Sequence, residues 1–288
     1  MNRYRYCGFV IQTPLEFPEL EATDAEQSAE IIAVERATVQ IPGISSLHRG
    51  PNWAIGREET FWWLDGIATF RIDAESIQVD FNDSVPEQLI RSLILEAPMT
   101  LVMQHRGSFC LAVSSVTDGT SVTAYRFLPG GGASTAAAWQ VCKGTNHRHF
   151  CDTLLRIEID GNSRPIAWPQ GSGSLLWPRS LKLLDLLDHP SQTVRPDIAL
   201  SRVRLKENRR PLPLTTIVTA GTYRKLKVSS QEDYQNLQSR QPFKVAALKT
   251  AGRLWIDPMG RTEEHFLWCL AIAKYCKVKQ GSLANSTA

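Results

Sequence analysis

The chain has 288 residues, 43% hydrophobic and 21% charged, with 32 Lys and Arg against 29 Asp and Glu for a net charge of +3. That composition excludes a disordered or collagen-like chain, and the small, diffuse basic excess does not point to nucleic acid as a partner. No apolar run approaches the roughly 20 residues of a membrane helix; the longest, around Leu93 to Met103, is broken by Glu96 and Pro98.

The length allows one large domain or two small ones. The opening stretch to Phe17 starts basic but has no sustained apolar core and no small-residue cleavage site, so an unexported, cytoplasmic protein is expected. Six cysteines do not make a disulfide framework. Settings such as Phe109-Cys110-Leu111 and Trp268-Cys269-Leu270 read as buried free thiols.

Up to about Asp83, short runs rich in β-branched and aromatic residues alternate with turns at Pro14, Pro18, Pro42-Gly43 and Pro51-Asn52. This predicts a mostly antiparallel, β-rich N-terminal module over residues 1–85. Ser84-Val85-Pro86-Glu87 has capping-box spacing, and a helical stripe of Leu89, Ile90, Leu93 and Ile94 follows. Pro98 should end or kink that helix. Strands are expected at Phe109–Val116 and Ser121–Leu128 around a turn at Asp118-Gly119. Pro129-Gly130-Gly131-Gly132 then breaks the chain before a helix starting at Ala133. A strand from Leu154 to Ile159 comes next, and a leucine-rich helix runs from Trp177-Pro178 through Leu187. Residues 197–212 are polar and basic, ahead of a strand at Leu214–Thr219. The last helix starts at Thr262, with Glu263 and Glu264 in its first turn and Lys274, Lys277 and Lys279 near its end, complementing the helix dipole. The core is thus expected over residues 86–280, with a frayed tail at 281–288.

The segment from Phe127 to Trp139 carries the most chemistry. A strand, a glycine turn and a helix N-terminus can aim backbone N–H groups at an anion. A working phosphate loop also needs a lysine and a hydroxyl. Here Ser134 and Thr135 supply hydroxyls, but Ala133 stands at the lysine position and Phe127 at the first glycine.

Along almost its whole length the chain resembles the HPr serine kinase/phosphorylase-like proteins, in particular those of gene clusters for ribosomal peptides such as lasso peptides. The resemblance rests on Tyr6-Cys7-Gly8-Phe9 with Pro14-Leu15-Glu16-Phe17-Pro18-Glu19-Leu20, on Gln104-His105-Arg106-Gly107, and on the glycine turn. Trp177-Pro178, Arg210-Pro211-Leu212-Pro213-Leu214 and His265-Phe266 with Cys269 and Ala273 follow in family order. It implies an α/β (α+β) fold: a phosphate-loop core with a central sheet behind the N-terminal module. It also implies that catalytic groups are missing. Ala112 stands where the family has a histidine near the phosphates, Ala133 replaces the loop lysine, and of a paired-Asp motif only Asp152 survives, followed by Thr153. Residues 171–176 lack the family's basic residues. Removing one electrostatic group of this kind commonly costs roughly 10²–10³ in rate.

Other constellations read as structure. Cys142, His147, His149 and Cys151 lack zinc spacing, and His147-Arg148-His149 reads as a solvated loop. Asp185 and Asp188 read as a solvated helix face. Trp168 and Trp177 flank a Gly/Ser-rich loop and are candidates for a pocket wall.

The reading expected from the sequence is therefore a degenerate HPr-kinase-like protein, a pseudokinase, that binds a precursor peptide or partner enzyme of a ribosomal-peptide pathway. The alternative is an active phosphotransferase or a repurposed tailoring enzyme in the same cleft. The vestigial phosphate loop is Gly130, Gly131, Gly132, Ser134 and Thr135, with Asp152 as the one catalytic candidate. Arg202, Arg204, Arg209 and Arg210 are the candidate contacts to a peptide or partner. No metal site and no certain cofactor are assigned. Weak nucleotide binding through backbone N–H groups is compatible with the loop, and an oligomer is left open. Neither nucleic acid nor membrane is expected as a partner.

Overall fold

The computed structural model describes residues 1–24, 30–43, 47–127, 130–144, 146–195, 198–220, 246–247 and 250–280. The first nine strands are β1 (Asn2–Tyr6), β2 (Phe9–Thr13), β3 (Glu21–Ala22), β4 (Ile31–Arg36), β5 (His48–Gly50), β6 (Trp53–Ile55), β7 (Glu59–Leu64), β8 (Ala68–Asp73) and β9 (Ser76–Phe81). They form one sheet in the order β3-β1-β2-β4-β9-β8-β7-β6-β5. The β-rich module is present, with one difference: β4 pairs parallel to both β2 and β9, so its middle is not antiparallel.

The hairpin joining β1 and β2 turns on Cys7 and Gly8, both at positive φ. A Cβ on Gly8 would lie 2.4 Å from the Trp168 ring, so glycine is required by close approach as well as by its backbone.

Two helices, α1 (Glu87–Ile94) and α2 (Ala97–His105), cover this sheet with Ile90, Leu93, Met99, Val102 and Met103 in its core. The first helix ends at Ile94, ahead of Pro98 as expected, and Pro98 itself sits in the first turn of α2. The expected capping box does not form. Pro86 itself occupies the cap, and the Ser84 N–H is taken by Asn82 Oδ1 at 3.0 Å.

The rest of the chain folds around β10 (Phe109–Thr117), β11 (Val122–Phe127), α3 (Ala133–Lys143), β12 (Arg148–Ile159), β13 (Pro165–Ala167), β14 (Ser174–Leu176), α4 (Pro178–Leu183), β15 (Ser191–Arg195), β16 (Ile198–Val203), β17 (Leu212–Ala220), α5 (Arg253–Ile256), α6 (Thr262–Tyr275) and β18 (Lys277–Gln280). Strands β11-β10-β12-β13-β17 run in that order, and β17 pairs back onto β11 in parallel, closing a small five-stranded barrel. β18 extends it beside β17, and β14-β16-β15 make a separate small sheet. The molecule is thus mixed α/β and sheet-rich, but its strands curl into a barrel where a central sheet was expected.

Alternation on the barrel strands sorts the side chains. Phe109, Leu111 and Val113 of β10 and Cys151, Leu155 and Ile157 of β12 join the barrel core. Cys110 and Leu154 point out and join the core of the first sheet, tying the two halves together.

Several sequence expectations are corrected here. His147-Arg148-His149 is not a solvated loop: β12 begins at Arg148, and His149 is buried because residues 206–208 pair alongside it through His149 N–H to Lys206 O and Asn208 N–H to His149 O. The leucine-rich helix stops at Leu183, and Asp185 follows in a left-handed turn, not on a helix face. The basic stretch is partly strand, since Arg202 lies on β16. The last helix ends at Tyr275, where the chain turns extended at Cys276, so Lys277 and Lys279 lie on β18 and not near a helix end. Leu128 and Pro129, and the tail at 281–288, lie outside the described residues. All six cysteines are free thiols, five of them buried.

Candidate binding cleft

The outer face of β10 and β12 meets the start of α3. Strand β11, the glycines and α3 form the strand–turn–helix that the sequence predicts, with Gly130 at φ 74° and Gly132 capping α3 at φ 82°. A cleft of about 610 Å³ opens there. Gly130, Gly131, Gly132, Ser134 and Thr135 line it, with Ala112 and Ser114 from β10, Asp152 and Thr153 from β12, and Tyr125 and Arg126 from β11. Trp177, Arg179 and Ser180 at the start of α4 form the opposite rim. Thr135 Oγ1 and Ser180 Oγ, 2.8 Å apart, fasten the two helix starts together.

Asp152 lies at the base of this cleft and is only 2% exposed. The Ser114 hydroxyl donates to its Oδ1, as does Ser134 Oγ at 2.8 Å. Ser174 Oγ donates to Oδ2 at 3.1 Å and the Leu175 N–H at 2.6 Å. Its own N–H donates to Gln170 Oε1 at 2.8 Å, and Gln170 Nε2 donates to Tyr6 OH and Thr153 Oγ1. The carboxylate therefore works as a clamp holding β10, α3 and β14 around β12. Both oxygens are occupied, so neither is left to take a substrate proton or to face an ion.

The structure brings all the predicted loop residues and Asp152 to one place. It puts the predicted partner arginines elsewhere. Arg202 donates to Ser172 O, Arg204 to Pro18 O and Leu20 O, and Arg209 pairs with Glu21 at 3.0 Å. These three grip the chain itself, around the Pro18–Glu21 turn and the 170–174 loop, while Arg210 is exposed. Trp177 reaches the cleft as expected. Trp168 does not; its Nε1 donates to Glu158 and its ring packs against Arg156. Cys151 and Asp152 are neighbours on a strand and so face opposite ways, Cys151 into the barrel. Among the described residues no three His, Cys, Asp or Glu side chains converge as metal ligands.

Ser114, Gln170 and Ser174 escaped sequence reasoning because nothing in their local pattern separates a hydroxyl that holds a carboxylate from one in a loop. The period-2 position of Ser114, on the same face as Ala112, was the one available signal. No protein-family model matches the chain, and no curated protein matches it.

Burial pushes the His149 imidazole below its ordinary range, against the opposing charges of Asp152 and Glu207. Burial does the same to His105 and His265. All three favour the neutral ring when folded, whereas the unfolded chain protonates them below about pH 6.5. The unfolded state then binds more protons, so stability is full above that pH and falls as pH drops through it. Urea midpoints at about pH 7.5 and about pH 5.5 are expected to show this loss, and His149→Gln should reduce the pH slope whatever its effect at the upper pH.

Proposed function

We propose that the chain is a degenerate HPr-kinase-like protein whose cleft recognises a precursor peptide or a partner enzyme of a ribosomal-peptide pathway and transfers no phosphoryl group. One observation carries this reading: the only acid of the expected catalytic pair, Asp152, is buried with both oxygens filled by the chain's own donors. A general base must reach a substrate proton, and phosphoryl transfer depends on cations and metal ions set around the phosphate. Ala133 offers no charge where the loop lysine is expected. The remaining lining suits recognition. The glycine turn and the first turn of α3 favour an anionic group, and Arg126, Arg179, Tyr125 and Trp177 add cations and aromatic surface beside it.

Incubation with γ-labelled ATP, Mg²⁺ and a candidate precursor peptide is expected to give no transfer above background. Calorimetry is expected to show that the peptide binds, with Trp177→Ala or Arg179→Ala weakening it about ten-fold. Metal-dependent labelling of the peptide overturns the reading.

One feature favours the repurposed enzyme as a second reading. Thr153, in the cleft wall beside Asp152, holds φ 128°, a strained region for a residue with a Cβ. Such strain clusters at working sites. Magnesium-dependent consumption of ATP or GTP by the parent chain, beyond binding alone, would support this second reading over the first.

A further inference from the structure

Helix α6 is apolar on two sides. One side buries Trp268, Cys269 and Ile272 against the barrel. The other presents Glu263, Leu267, Leu270 and Lys274, spaced four, three and four residues apart, which is the a/d seam of a helix pair. Leu267 is 58% exposed and Leu270 44%, large apolar surface for a helix already packed on its other side.

We propose that this seam is a homodimer interface, in which α6 packs antiparallel against α6 of a second copy about a twofold axis. In such an interface each pair of contacts occurs twice, residue i on j and j on i. An axis midway between Leu267 and Leu270 sets Leu267 of one copy opposite Leu270 of the other. The same axis sets Glu263 opposite Lys274 at both ends. Leu267 and Leu270 also border a groove of about 760 Å³ lined by Ser108, Ile157 and Ile159, so the apolar surface continues beyond the helix itself. One axis position thus satisfies the charges and the leucines together. A parallel pairing would instead put Glu263 on Glu263 and Lys274 on Lys274, which repel. A second copy is therefore the occupant that the charge pattern of this face fits. The inference does not depend on the cleft or on the function proposed for it.

Light scattering and sedimentation of the full chain are expected to give twice the 32.2 kDa chain mass. Leu270→Asp should yield a folded monomer whose melting temperature no longer rises with protein concentration, as that of the dimeric parent does. Glu263→Lys alone and Lys274→Glu alone should each weaken the dimer at least about ten-fold, since each puts like charges face to face at both ends. Mixing those two variants should restore a dimer containing one chain of each, because both ends of the mixed pair then set a lysine opposite a glutamate. That rescue separates the proposed pairing from a folding defect. A parent chain that stays monomeric up to about 100 μM overturns the proposal and leaves the face to some other partner. Dimers that persist unchanged in both single-charge variants overturn it as well.

Discussion

Arg156→Ala is expected to cost about 3–5 kcal/mol of folding stability, read as a lower urea midpoint in a single transition. The side chain is 3% exposed on the outer face of β12. Its guanidinium stacks 3.8 Å from the Phe9 ring centroid and 5.3 Å from that of Trp168. It donates to Cys7 O at 3.1 Å and to Glu158, and pairs with Glu30 at 3.4 Å. Phe9 and Cys7 belong to the first sheet and Trp168 and Glu158 to the barrel region, so one side chain joins the two halves at their hairpin. Truncation leaves a cavity, a buried carbonyl without its donor and an aromatic pair without its cation. Arg156→Lys keeps the charge but loses the planar stacking and the forked donors, and about 2 kcal/mol is expected from that change. A cost within about 1 kcal/mol for Arg156→Ala would show that the halves are held by their shared apolar core alone.

Asp152→Ala is expected to be comparably damaging, about 3–5 kcal/mol, because it strands a backbone N–H and three serine hydroxyls that now converge on one carboxylate. The serines can rotate in search of other acceptors, but the Leu175 N–H cannot. Asp152→Asn should cost about 1–3 kcal/mol, since an amide keeps one acceptor oxygen and turns donors toward donors at the other. The two variants discriminate between roles. A clamp predicts loss of stability graded from Asn to Ala, with peptide binding retained by whatever fraction stays folded. A catalytic carboxylate predicts full stability in the Asn variant with loss of an activity. Denaturation curves of the three proteins decide between them.

How far the sequence reached depended on the range of the forces involved. The β10–β11 hairpin, the start of α3, the end of α1 ahead of Pro98, and the start of α6 were legible because turn residues, proline and periodicity act locally. The beginning of β12 was not, because Arg148 and His149 look like solvent residues until the 206–208 segment covers them. Arg202 and Arg204 looked like free charge because their acceptors are backbone carbonyls distant in sequence. For the candidate site, the glycine turn and Asp152 were marked by motif. The saturation of Asp152 was not, since its donors come from β10, α3 and β14, and only the fold brings these together. Barrel closure was likewise invisible: a strand's second neighbour leaves little trace in its own composition.

That closure has a consequence for how the protein is made. The β11–β17 seam joins residues 122–127 to residues 214–220. Until the later strand is synthesised, both β11 and β13 present a bare row of amide and carbonyl groups, the template on which foreign strands add. A ribosome-bound chain ending before Leu212 carries those two open edges together with an exposed barrel interior. Its exposure time is set by translation and by the slow search for contacts so far apart in sequence. A longer interval before β17 emerges is therefore expected to lower the yield of folded protein.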